Sequence, residues 1–160
     1  MRKIIQSGSN AQLNSLFVTN AVTASIFSGS LQGTATTASY YRETKTFGIT
    51  IDGGGSAITT GVKGDITIPF TCYVDSWYLT ADQAGSIVID VWKDTLANFP
   101  PTVADTIAGT EKPTLSGAAF NSDTSLTTWT SSIASNDVIR FNVDSAATVT
   151  RATLVIKAFV

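Results

Sequence analysis

Between residues 46 and 160, apolar and polar side chains alternate with a period of two, and that pattern constrains the chain to strands. In SIVIDVWKD, Ile87, Ile89 and Val91 fall on one face, and Val88, Asp90 and Trp92 on the other. In NDVIRFNVD, Ile139, Phe141 and Val143 share a face, with Arg140 and Asn142 opposite. ATVTRATLVIKAFV places Ala152, Leu154, Ile156, Ala158 and Val160 together, against Arg151 and Lys157. GDITIPF sets Ile66, Ile68 and Phe70 against Asp65, Thr67 and Pro69. Pro69 has no N–H for a ladder, so this strand lies at a sheet edge or stops there. Turn residues punctuate the pattern: DGGGS follows TKTFGITI, and DQAG follows TCYVDSWYLTA. ANFPPTVADTIAGTEKPTLSG reads as a long irregular connection, extended at Phe99 ahead of two prolines, and TSLTTWTSS as one more short strand. Seven or eight strands in about 115 residues predict an all-β head, an antiparallel β-sandwich or jelly roll, over residues 46–160.

Residues 1–45 differ in kind. They contain one acidic residue, Glu43, and no tryptophan, whereas all three tryptophans and all ten aspartates follow. The stretch VTASIFSGSLQGTATTASYY is uncharged and rich in Thr, Ser, Ala and Gly, with isolated large apolar residues. Such side chains bury too little area within one chain to offset about 1–2 kcal/mol of backbone ordering per residue. Several copies in register can. Val18, Val22, Ile26 and Leu31 of three chains would then meet at a common axis. Leu13, Leu16, Phe17, Ala21, Ala24 and Phe27 fit a helical period, which leaves a short helix over residues 10–17 open beside the extended reading.

The chemistry this sequence lacks narrows its function. It has no histidine, which excludes Ser-His-Asp and Cys-His sites and histidine-ligated zinc. Cys72 is the single cysteine, so no intramolecular disulfide or cysteine metal cluster can form; its apolar setting predicts a buried thiol. DGGGS has neither the strand–helix setting nor the lysine of a phosphate-binding loop. DVWKD has no alternating oxygen ligands for calcium. No carboxylate pair stands out. We therefore expect no enzyme activity, cofactor or metal. A net charge of −2 with scattered basic residues gives no footprint for nucleic acid. MRKIIQSGSN is too short in apolar residues for a signal peptide, and no run is long enough to insert in a membrane.

Aromatic side chains remain as binding candidates, because they stack on sugar rings. Trp77 and Trp92 sit in apolar strands and are expected in the core. Trp129, Phe99 and Tyr78 are the candidate glycan contacts.

The order and spacing of GSIVIDVWKD, PPTVADTI and DVIRFNVDSAA resemble a β-sandwich domain found at the C-terminal end of bacteriophage fibre and tail proteins, over roughly Gly61–Ala158. SGSLQGTATTASY resembles the Ser/Gly/Thr/Ala-rich shafts of such fibres, which are built from three identical chains. Thr-Ala-Ser recurs only once, at Thr23–Ser25 and Thr37–Ser39, so the shaft would be a stub. The resemblance implies a virion structural protein, made in the host cytoplasm: a short homotrimeric head or tail fibre. Its N-terminal segment would dock on capsid or tail proteins and its head on a host-surface glycan. The alternative is a stand-alone carbohydrate-binding β-sandwich module, which predicts a monomer.

Overall fold

The computed structural model describes residues 42–160, and over these the chain is all β and antiparallel. The axis candidates Val18, Val22, Ile26 and Leu31, and the helical alternative over 10–17, lie outside the described residues. Seven strands form: β1 (Thr44–Asp52), β2 (Gly61–Ile68), β3 (Cys72–Thr95), β4 (Thr114–Asp123), β5 (Ser132–Ile133), β6 (Asp137–Ala147) and β7 (Arg151–Phe159). They run in the order β1-β7-β3-β6-β2, with β4 and β5 also paired to β3.

The 24-residue β3 organises everything else. Its first half, Tyr73–Ala81, pairs with β7, and its second half, Ser86–Thr95, pairs with β6. One continuous sheet thus curls at Ala81–Gly85 into two wings, β1–β7–β3 and β2–β6–β3. This corrects the reading of DQAG as a turn between two strands. β4 holds the segment extended by pairing with Trp77–Thr80 before the corner and Gly85–Val88 after it. Strands that pass from one wing to the other at a corner do so through bends and register shifts, and β3 has both shifts there. Gly85 lies under the β6–β7 turn: a Cβ would strike the Thr148 hydroxyl and stand 2.7 Å from Val149 Cγ2.

β4 itself, TLSGAAFNSD, was not read as a strand. Only Leu115 in it is fully buried, and Gly117 sits at φ +62°, so its alternation is broken. The reading of TSLTTWTSS as a strand is also corrected: apart from Ser132 in β5 it is a loop. Glu111 accounts for that. Its carboxylate accepts the Thr127 and Thr128 N–H groups at 2.8 and 2.6 Å and both threonine hydroxyls, diverting them from any ladder. Val160 falls just outside β7 and is 40% exposed, so the last apolar face ends at Ala158.

The core lies between the wings. Ile87, Ile89 and Val91 of β3, Ile139, Phe141 and Val143 of β6, and Leu154 and Ile156 of β7 are buried, as their alternation requires. Each such side chain contributes about 1.5–3 kcal/mol. Pro69 follows β2, which is an edge strand ending at Ile68.

Candidate functional site

The three aromatic candidates do not converge. Trp129 is buried, and its indole N–H donates to the Glu111 carbonyl at 3.0 Å. Phe99 is 51% exposed on the β3–β4 connection, but the Arg140 guanidinium lies 5.4 Å from its ring centroid and occupies one of its faces. Tyr78 is half-buried on the outer face of the β1–β7–β3 wing.

On the β2–β6–β3 wing, the outward positions are occupied by the fold itself. Arg140 binds Asp65 with two nitrogens, at 2.6 and 2.8 Å, and donates to the Pro101 carbonyl at 3.1 Å, tying down the β3–β4 connection. Asp90 and Trp92, outward by alternation, are buried there. Thr106 Oγ1 donates to Asp90 Oδ1 at 2.6 Å, and Lys112 Nζ lies 2.8 Å from Asp90 Oδ2 and 2.7 Å from Asp144 Oδ2. Asp90 Oδ2 and the Trp92 indole N–H otherwise lack a well-directed hydrogen bond. Burial pushes the Asp90 carboxyl up, yet the Lys112 ammonium and Thr106 hydroxyl outweigh it and leave the group below the usual carboxylate range. This is a structural ion pair closing a wing.

Among the described residues, no segment covers the outer face of the other wing. β1 presents Thr44, Thr46, Gly48 and Thr50 outward, opposite Phe159, Lys157, Val155 and Thr153 of β7. β3 continues two of these rows with Tyr78 beside Val155 and Thr80 beside Thr153, and β4 adds Phe120, 58% exposed, beside Thr80. Thr50 Oγ1 and Thr153 Oγ1 share a hydrogen bond at 3.0 Å. Around Gly48 the face carries a shallow depression of about 270 Å³, whose rim includes Thr46, Thr50, Thr153 and Val155. A Cβ on residue 48 would collide with the Leu154 carbonyl oxygen, so only glycine lets β1 approach β7 there. Two ion pairs border this band, Lys157 with Asp75 at 3.0 Å and Arg151 with Asp52 at 2.9 Å, and at its Thr44 end the Arg42 guanidinium lies 4.9 Å from the Phe159 ring centroid.

At the corner, Asp82 accepts the Thr150 and Arg151 N–H groups at 3.2 and 3.0 Å and the Thr150 hydroxyl, which holds its carboxyl below the usual range. Among the described residues, no group of three or more His, Cys, Asp or Glu side chains comes together as a metal site. Sequence reasoning found Tyr78 but missed the face around it. The signal was the period-two set Thr44, Thr46, Gly48 and Thr50, whose side chains are too polar or small for a core.

No protein-family model, curated protein or solved structure matches this chain.

Proposed function

We propose that this protein is a virion structural protein of a bacteriophage, a short homotrimeric fibre. Residues 1 to about 45 attach it to capsid or tail proteins and hold three copies together, and the all-β head is displayed to host-surface glycan. The observation that carries this reading is the polarity of the head. β1 begins beside the end of β7, with Thr44 opposite Phe159 and the Val160 N–H on the Glu43 carbonyl at 3.0 Å. The described chain therefore enters the head at one end. The β1–β2 loop and β6–β7 turn meet at the other, where the Gly53 N–H donates to the Thr150 carbonyl at 2.8 Å. Nine residues of β1 separate the two ends, about 27 Å at roughly 3.4 Å per residue. A domain whose chain enters at the end opposite its β1–β2 and β6–β7 connections suits a terminal knob.

Sedimentation velocity on the full chain tests the reading. A trimer is expected at micromolar concentration. A folded monomer, unchanged by deletion of residues 1–41, would overturn it and favour the stand-alone module.

A further inference from the structure

We infer that the outer face of the β1–β7–β3 wing binds an uncharged oligosaccharide, with one sugar unit in the Gly48 depression and a neighbouring unit against Tyr78. The inference rests on the fibre reading only for the glycan's location on a host surface; the site itself is built by the head.

Three features of the face select this ligand. The first is shape. The depression of about 270 Å³ falls just short of the usual range for small-molecule sites, which suits a single ring, and it is open, which suits one unit of a longer chain. Position 48 itself cannot fill it, since a Cβ there would collide with the Leu154 carbonyl oxygen. Tyr78 lies one strand beyond Val155 in the same row, about 10 Å from Gly48 by two strand spacings. That is the span of a disaccharide laid across the strands.

The second feature is hydrogen bonding. Two hydroxyls supply two donors and four acceptor lone pairs. The Thr50–Thr153 bond uses one of each, leaving one donor and three acceptors at the rim of the depression. Thr46 stands at the same rim, and Thr80 follows Thr153 in its row. A sugar hydroxyl is likewise donor and acceptor, so it can satisfy such a set where an apolar ligand would leave it unpaired. Tyr78 and Phe120 add ring faces for the C–H surfaces of a pyranose.

The third is charge. Lys157 and Arg151, the cations bordering the band, are already engaged by Asp75 and Asp52. Between them the face carries only neutral groups. Among the described residues, an anionic polysaccharide would find no unengaged cation at the depression itself, since Arg42 stands over Phe159 at the Thr44 end of the band, and a cationic ligand would find no unengaged carboxylate there. The other exposed ring, Phe99, offers less, because Arg140 covers one of its faces. Single contacts of this kind are weak, and three copies on one stalk would strengthen binding through avidity.

The test uses the full chain on an array of immobilised glycans: uncharged hexose and N-acetylhexosamine oligomers, with uronate and sialylated oligomers beside them. Retention on uncharged glycans is expected. Tyr78→Ala, which removes the ring, and Thr153→Lys, which lays a charged chain across the depression, should each weaken it by about tenfold or more. Phe99→Ala on the other wing should leave it unchanged. Silence on every spot overturns the proposal, as does binding confined to acidic glycans or binding indifferent to both face variants. Sedimentation of the same samples separates this from the fibre reading. A trimer with no glycan binding defeats the site alone, whereas a monomer that binds and responds to the variants defeats the fibre alone. If Thr153→Lys dissociates the trimer while the array stays silent, the face belongs to a second copy of the chain and the proposal fails.

Discussion

Lys112, on the irregular β3–β4 connection, neutralises Asp90 of β3, a carboxylate with no exposed surface. Removing one partner of a buried pair leaves the other charge desolvated and unpaired. Lys112→Met should therefore cost about 2–3 kcal/mol in urea unfolding, less than a wholly buried pair because Lys112 is partly exposed. Adding Asp90→Asn should recover much of that loss; strictly additive losses in the double variant would contradict the coupling. The three tryptophans give a second residue-scale expectation. Trp77, Trp92 and Trp129 are 3, 8 and 8% exposed, so native emission should be blue-shifted and resist acrylamide quenching. Quenching like that of free indole would place at least one ring in solvent. Cys72 is also fully buried, and burial pushes its thiol up, so it should react with thiol reagents only on unfolding.

At the scale of elements, β3 and the turn above it make the fold. The corner needs Gly85 because the β6–β7 turn packs directly over it. Gly85→Val should destabilise by about 1–3 kcal/mol, the usual cost of forcing extra atoms into a packed site. Thermal unfolding reads this directly, and a neutral substitution would mean that the turn lifts away freely. The corner also marks the limit of what strand patterns convey. SIVIDVWKD, NDVIRFNVD and RATLVIKAF appear as β3, β6 and β7 because each buries one face, and alternation records that. DQAG has turn-like composition, and nothing local reveals the partner strands that keep it extended. β4 was illegible for the opposite reason: an edge strand with one buried large side chain carries almost no pattern. Of the candidate site, Tyr78 could be picked out as an aromatic residue, but its neighbours Gly48, Thr153 and Phe120 come from three other strands.

For the whole molecule, the ionisable groups define a wide plateau of stability. Glu111 is held at about 2, first by the Thr127 hydroxyl and then by the Thr128 N–H, and Asp52, Asp82, Asp90 and Asp105 are also lowered. A depressed carboxyl stabilises the folded state fully above its unfolded value and loses that contribution as pH falls through the folded one. Stability should thus decline as pH drops below the unfolded range, 3.8 for Asp and 4.5 for Glu. At the other end, a buried thiol raised above 9.0 stays protonated while the unfolded thiol ionises, so stability declines as pH climbs past that value. With no histidine to titrate between, the thermal midpoint should be nearly flat from about pH 5 to about pH 9. Glu111→Gln should reduce the acid-side slope, and a sharp transition near pH 6–7 would contradict the scheme.

The sequence by itself determined that residues 46–160 form strands, which face of most strands turns inward, and that histidine-based catalysis is absent. These are local matters, set by side-chain type and a period of two. Only the tertiary structure decided that Cys72–Thr95 is a single bent strand, that Asp90 and Trp129 are covered, and that among the described residues one wing keeps an uncovered face around Gly48. Each of these depends on which distant segment lies alongside, and pairing between distant segments is chosen by the burial of the whole core, to which no single stretch of sequence has access.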